Sequence, residues 1–379
     1  MVVDKIITFK YYVLLMINGI YYQYIYLLIV SVLGITVYQK YRTSEIKVLD
    51  SYHVTLMWAM LFALFIGTRP PYDVLSDTGG MVNYYKLNLY LDWTFSWDTS
   101  NYIFDNLLLF LSSEGIHYSI WLIIMALFYF VGNSIACKKL FPENSFLAFV
   151  TFLGAFVSYS SAVNGFKAGI AAAMFTCAIA YRKNKIMSVL FLFLSLGFHH
   201  GWIVCVIAYF ICLFIRKDRL FFYFWLFALI ISASHITYFQ VLFASLGIDD
   251  KASDYLIGDN IGGRGGFRLD FILYSVVPIL QWFILKKRNI ELSDRYRFVI
   301  SLYMLLNGVW MLCMYANFTN RIAAYSWGFY YIVILLPCFE SKNNMMCTSK
   351  KTLVSVMTKN LLFTLFMQVI YYGIIYTVR

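Results

Sequence analysis

Long apolar stretches follow one another along most of the chain, separated by short polar connectors. A helix needs about 17 to 25 mostly apolar residues to cross a bilayer. On that criterion the pattern predicts spans near residues 20–38, 52–68, 117–137, 144–162, 165–182, 185–198, 200–216, 219–235, 268–286, 296–316, 321–339 and 357–377. The expected fold class is all-α, a polytopic transmembrane bundle of about twelve helices. It forms one integral membrane domain over 1–379, in which the two long gaps are 69–116 and 236–267.

Composition excludes a soluble globular domain. Hydrophobic residues make up 61% of the chain and charged residues 13%, against about 25% charged in soluble proteins. Met1 to Lys10 carry charges but lead into no small-residue cleavage site, so no cleavable signal peptide is expected. The seven cysteines form no C-x-x-C pair, and most, such as Cys177, Cys205, Cys212 and Cys313, read as small apolar residues inside spans. No D-x-D motif or metal-ligand cluster appears, so metal independence is expected; Asp73 with Asp77 comes nearest to a cation pair.

The net charge of +11 reads as a topology signal rather than a nucleic-acid footprint. Alternate connectors, such as Lys138/Lys139, Arg182/Lys183/Lys185, Arg216/Lys217/Arg219 and Lys286/Lys287/Arg288, hold 20 of the 30 basic residues and only 7 of the 19 acidic ones. Short cationic loops stay in the cytoplasm. The remaining connectors then face outward, and an even number of spans puts both termini outside. The segment 5–19 is the exception, since it can equally lie in the membrane interface.

Most of the chemically interesting residues fall on the outward connectors. The 69–116 segment opens with Arg69, continues through Asp73 and Asp77, and is rich in Tyr84, Tyr85, Asp92, Trp93, Trp97, Asp98 and Asp105. Aromatic faces beside carboxylates suit sugars, and the same composition suits an amphipathic helix with interfacial anchors. Asn164-Gly165-Phe166-Lys167 precedes a run of small residues, and Lys167 either faces a cavity or snorkels to the headgroups.

Phe198-His199-His200-Gly201-Trp202 joins two apolar arms, Ile186–Phe198 and Ile203–Ile215, each only 13 residues long. That is ~20 Å of helix against a hydrocarbon core of ~30 Å, so the hairpin tip is expected below the outer surface, inside protein. A histidine there serves as a proton acceptor or as a hydrogen-bonded structural group. The 236–267 segment ends in a glycine-rich stretch around Arg264, followed by Arg268 and Asp270, and Arg321 opens another span. Lys167, Arg268 and Arg321 are each expected at the start of an inward-running helix. The partial positive charge and free N–H groups there, added to fixed cations, amount to an anion site that Arg69 and Arg264 can join.

These motifs resemble the EpsG-like exopolysaccharide polymerases, relatives of the Wzy polymerases of bacterial capsule and O-antigen synthesis. The resemblance rests on Arg69 with Asp77 and the tyrosines after it, Asn164 to Ala171, Phe198-His199-His200, Gly266 to Ser275, and Arg321 with Tyr325. It covers the chain in order from about residue 20 to 340, and Gly-Phe-Arg-Leu-Asp-Phe is its most specific stretch. Where the family often has arginine and glutamine after Asn-Gly, this chain has Lys167 and Ala168, which argues against a bidentate phosphate contact at 167.

The resemblance implies a membrane glycosyltransferase, compatible with a GT-C-like architecture, working on the outer side of the bacterial cytoplasmic membrane. Its donor and acceptor are lipid-linked oligosaccharides on undecaprenyl diphosphate, and no cofactor is implied. A flippase and a chain-length regulator are its natural partners. In that reading Arg69, Lys167, Arg264, Arg268 and Arg321 hold the diphosphate. Asn164, Asp270 and Tyr325 contact substrate, and His200, His199 or Asp77 takes the acceptor proton.

Four rivals share parts of the pattern. A lipid-linked oligosaccharide flippase needs ionisable groups distributed through the membrane depth or a two-half repeat, and neither is evident. A glycan ligase uses the same donor and is indistinguishable at this level. An outer-face acyltransferase accounts for the histidines but not the arginines, and a structural scaffold accounts for neither.

Overall fold

The computed structural model describes residues 19–43, 52–71, 76–245, 266–317, 319–340 and 350–368. Among these residues the chain is helical with no strand. The helices are α1 (Gly19–Thr43), α2 (Tyr52–Gly67), α3 (Ser76–Leu87), α4 (Tyr102–Ser113), α5 (Tyr118–Leu140), α6 (Ser145–Leu153), α7 (Ser158–Val163), α8 (Phe166–Ala180) and α9 (Lys185–Phe198). After a short turn at His200–Trp202 come α10 (Ile203–Phe214), α11 (Asp218–Ala233), α12 (Tyr238–Ser245), α13 (Leu269–Lys287), α14 (Asp294–Leu312), α15 (Thr319–Trp327), α16 (Tyr330–Glu340) and α17 (Lys350–Gln368). In the bundle α2 packs on α5, α8 lies between α5 and α9, α11 runs along α14, and α17 lies against α1.

Among the described residues four segments are long and apolar enough to cross a membrane alone: Tyr21–Gln39, Tyr118–Leu140, Leu269–Lys287 and Thr319–Phe339. The hydropathy pattern predicts twelve, and the difference has physical causes. The stretch 144–162 carries no charge and no proline but breaks at Gly154 into α6 and α7. Tyr26 Oη takes the Leu153 carbonyl at 2.7 Å, the Ala155 N–H takes that of Phe152 at 2.9 Å, and the break is thereby satisfied inside protein. The two arms of the His199 hairpin are 14 and 12 residues, half-length elements. Within the long outward segment, α3 and α4 are helices in their own right, and the gap after α11 opens with α12. Of the predicted span 357–377, residues 369–377 lie outside the described residues, as does segment 5–18.

Large apolar side chains line the outside of the bundle. Tyr21, Leu28 and Ile35 on α1, Met57, Leu61 and Leu64 on α2, and Leu273, Leu280 and Ile284 on α13 are all exposed. Their helical spacing makes continuous apolar stripes, which belong in acyl chains rather than water.

Inside, one buried polar network joins four helices. Asn307 accepts from Trp225 Nε1 at 2.8 Å and donates to Ser275 and Ser326 hydroxyls at 3.0 and 3.1 Å. Trp327 Nε1 reaches the same Ser275 hydroxyl at 2.9 Å. The network ties α11, α13, α14 and α15 together where an unpaired polar group is most expensive.

Cross-helix bonds define the two ends. At the end carrying the basic connectors, Lys286 closes α13 and meets Asp218, in the first turn of α11, at 2.8 Å. Arg182, just past α8, pairs with Asp294 at the start of α14. Acids at helix starts and bases at helix ends complement the macrodipole. At the opposite end, Tyr315 Oη bonds the Ser232 carbonyl at 2.9 Å, and the Arg268 N–H points at Met314 Sδ 3.2 Å away. Trp310 Nε1 bonds Thr319 Oγ1 at 2.9 Å, so α11 and α14 end where α13 and α15 begin.

Candidate functional site

The residues singled out by the sequence lie at this second end wherever they are described. Lys167 is the second residue of α8, Arg268 caps α13, and Arg321 is the third residue of α15. Each cation therefore stands in or beside a first helical turn, where backbone N–H groups have no intrahelical acceptor. α8 is held close to the preceding turn by Gly169, where a Cβ would sit 2.3 Å from the Ser161 carbonyl.

Two of the cations are in ion pairs. Arg268 makes a bidentate contact with Asp270, at 2.9 and 2.6 Å, and lies 3.7 Å over the Phe271 ring. Arg321 Nη2 meets Asp77 Oδ2 at 3.2 Å, joining α15 to α3 across 244 residues of chain. The latter pair is 47% and 44% exposed. Such a pair is worth roughly 0–1 kcal/mol and yields readily to a more highly charged anion.

Arg69 is different from the free phosphate ligand that the sequence suggests. It is 3% exposed, and its guanidinium donates to Thr78 Oγ1 at 3.2 and 3.0 Å, to the Ile66 carbonyl at 2.9 Å and to the Val163 carbonyl at 3.1 Å. Thr78 itself donates to Val163 O at 2.6 Å. Arg69 is thus a clasp joining the end of α2, the start of α3 and the end of α7. Burial pushes it down to about 10, so it keeps its charge at neutral pH and adds field rather than contact. Thr78→Val leaves buried guanidinium donors unmatched, and a loss of ~1–3 kcal/mol of stability is expected. A lower melting temperature of the purified protein in detergent checks this; an unchanged one contradicts the clasp.

The histidine hairpin meets α4. Gly197 lets α4 approach, since a Cβ there would sit 2.4 Å from Ile103 Cδ1, and Tyr102 Oη bonds the Phe193 carbonyl at 3.1 Å. That docking brings Asn101 Oδ1 to 3.2 Å from His199 Nδ1 and 3.0 Å from the His200 N–H. His199 is half-buried and His200 exposed, while Gly201 and Trp202 are buried, so the tip does sit within protein.

One turn along α4 is Asp105. Burial pushes its carboxyl above the ordinary carboxylate range, and the Lys167 charge and hydrogen bonds from the Asn101 backbone and side chain draw it part of the way back. Lys167 Nζ also lies 5.2 Å over the Phe104 ring. Phe166, packed on Phe104 at 5.7 Å, in turn carries Arg69 at 5.5 Å on its ring.

Tyr325 stacks edge-on against Trp202 at 5.5 Å, placing the Arg321 helix beside the hairpin tip. Asn164 Oδ1 and Trp202 Nε1 are buried without a hydrogen-bond partner among the described residues. Arg264, its glycine-rich stretch Gly262–Gly265, and Asp73 lie outside the described residues. Among the described residues no group of three or more His, Cys, Asp or Glu has a metal-site arrangement. Asn101 and Thr78 were not legible as site residues, since neither belongs to a recognisable motif. Asp105 stood only as one acid among several in an aromatic segment.

The arrangement brings Asp77 to Arg321, Lys167 to Asp105, and His199 to Asn101, at one end of a lipid-facing bundle. No curated protein and no solved structure matches the chain. The model of the EpsG family matches residues 53–377, most of its length, and the chain belongs to that family.

Proposed function

We propose that this chain is a polysaccharide polymerase, a glycosyltransferase that joins undecaprenyl-diphosphate-linked repeat units on the outer side of the cytoplasmic membrane. Membership of the EpsG family supports an exopolysaccharide polymerase-type role. The observation that carries the finer reading is the gathering of three cation-bearing helix starts, at Lys167, Arg268 and Arg321, at the bundle end that also holds His199. In this reading the loop charges orient the bundle with that end outside.

In this reading the helix starts and Arg321, released from Asp77, hold the donor's diphosphate. Arg268 is the tighter of the two arginine pairs, and its guanidinium works from beside Asp270. A hydroxyl of the acceptor unit attacks the donor's anomeric carbon, and the carbon–oxygen bond to the diphosphate breaks with its electron pair leaving on the phosphate. Positive charge fixed at the leaving group lowers the barrier because it grows more favourable as the bond breaks. His199 accepts the hydroxyl proton. Asn164, with its unmatched Oδ1, and Tyr325 beside Trp202 contact sugar. A flippase that delivers lipid-linked units and a chain-length regulator are the expected partners.

The test is reconstitution. Purified protein in nanodiscs, given lipid-linked repeat units, is expected to produce a ladder of longer glycans, equally with and without EDTA. Unchanged starting material contradicts the polymerase. Transfer only to an unrelated acceptor identifies the ligase instead.

A further inference from the structure

The connector between α3 and α4 carries two acids, Asp92 and Asp98, no basic residue, and several large apolar side chains. Two of these, Phe95 and Trp97, are 49% and 66% exposed. Exposed rings on a loose loop would mean little, but this backbone is pinned. Buried Asn106 on α4 clamps Ser96 from both sides. Its Oδ1 accepts the Ser96 N–H at 2.9 Å, and its Nδ2 donates to the Ser96 carbonyl at 2.7 Å. The same Nδ2 donates to the Tyr102 carbonyl at 2.7 Å, which fixes the clamp to the first turn of α4. Residues two apart in an extended chain face the same way. The rings on either side of Ser96 do meet, edge-on and 4.9 Å apart.

From there the rings form a ladder. Trp97 packs on Tyr102 at 5.3 Å, and Tyr102 packs on Phe193 of α9 at 5.3 Å. Tyr102 Oη also donates to the Phe193 carbonyl at 3.1 Å. Phe193 completes the exposed set Ile186, Val189, Leu190 and Phe193. Their helical spacing marks the face that α9 turns to acyl chains. The ladder therefore extends a lipid-facing surface onto the connector. α9 needs that extension, because its 14 residues make ~21 Å of helix, ~10 Å short of a hydrocarbon core.

We propose that residues 93–102 are an interfacial anchor, with their rings in the headgroup–acyl boundary of the leaflet opposite the basic connectors. The occupant of this surface is phospholipid. Tryptophan has an apolar body and one N–H donor, which suits that boundary better than water or hydrocarbon. The exposed carboxylates of Asp92 and Asp98 precede and follow the exposed rings, on a segment with no cation. The attraction is thus to the apolar boundary and not to anionic headgroups. A glycan platform is the other use of rings beside carboxylates, but it needs ring faces open to water, whereas this ladder runs onto the acyl-facing side of α9. The proposal rests on the lipid-facing bundle and is independent of the polymerase reading.

The test reads the rings directly. Full-length protein labelled with fluorotryptophan is reconstituted in phosphatidylcholine nanodiscs. The chain has nine tryptophans, and a Trp97→Phe sample identifies the Trp97 ¹⁹F signal by its loss. Lipids carrying a nitroxide on the headgroup are expected to broaden this signal more than a soluble gadolinium chelate does. Equal or stronger broadening by the chelate overturns the anchor and leaves a ring standing in water, as a glycan platform requires. No response to the nitroxide lipid overturns it as well. Phe95→Trp adds a signal that must show the same preference, so the proposal stays testable if Trp97→Phe does not fold. High salt is expected to leave the broadening unchanged, and its loss there contradicts an apolar anchor.

Discussion

Replacing His199 with alanine is expected to slow chain extension ~10²–10⁴-fold, the usual contribution of a positioned proton acceptor. The argument starts from length. Arms of 14 and 12 residues bring the hairpin tip down among other helices, where Trp202 is buried and His199 half-buried. Asn101 then holds the ring from one side at 3.2 Å. Initial rates of ladder growth across a pH series check the prediction. Lipid-donor binding should stay near native in the variant. A larger loss for His200→Ala than for His199→Ala would move the base to the exposed neighbour, whose contact with Asn101 runs through its backbone.

Arg268→Ala and Arg321→Ala are each expected to reduce product ~10²–10³-fold, as removal of one stabilising donor does in an oxyanion site. Loss of stability should be small at Arg321, whose pair with Asp77 is half-exposed. It should be larger at Arg268, which is 13% exposed, bidentate and packed over Phe271. Thermal melting and gel filtration separate these effects from catalysis. Arg321→Lys should retain part of the activity, since the charge survives but the two-pronged geometry does not. Native rates in both alanine variants would remove the arginines from the mechanism.

How much of this was legible beforehand differs residue by residue. The all-helical membrane class was plain, because apolar runs of span length separated by cationic connectors have no soluble explanation. The helix starts at Lys167, Arg268 and Arg321 were equally plain, because in each case polar residues give way abruptly to an apolar run. The break between α6 and α7 was not, since 144–162 carries no charge and no proline, and the carbonyls freed there are capped by Tyr26 and Ser158. Arg69 was legible as a cation but not as a clasp, because its acceptors come from Thr78 and Val163, up to 94 residues away.

Asn101 and Asp105 were the hardest. Their meaning depends on α4 docking against Gly197, a contact between segments almost a hundred residues apart. Hydropathy has no vocabulary for that. A half-length helix pair with a polar tip is nonetheless a signal that some other segment must supply the tip's partners.

The central claim, that cationic helix starts at one end of this bundle grip a lipid-borne diphosphate, is tested most directly by binding. Undecaprenyl diphosphate is titrated into nanodiscs carrying native protein or the Arg268→Ala/Arg321→Ala double variant, with undecaprenyl monophosphate as the comparison. The account predicts that native protein prefers the diphosphate and that the double variant loses that preference together with ~10²-fold or more of affinity, two charge-assisted contacts of roughly 1.5–3 kcal/mol each being removed. Equal affinity of native and variant protein for the diphosphate would contradict it.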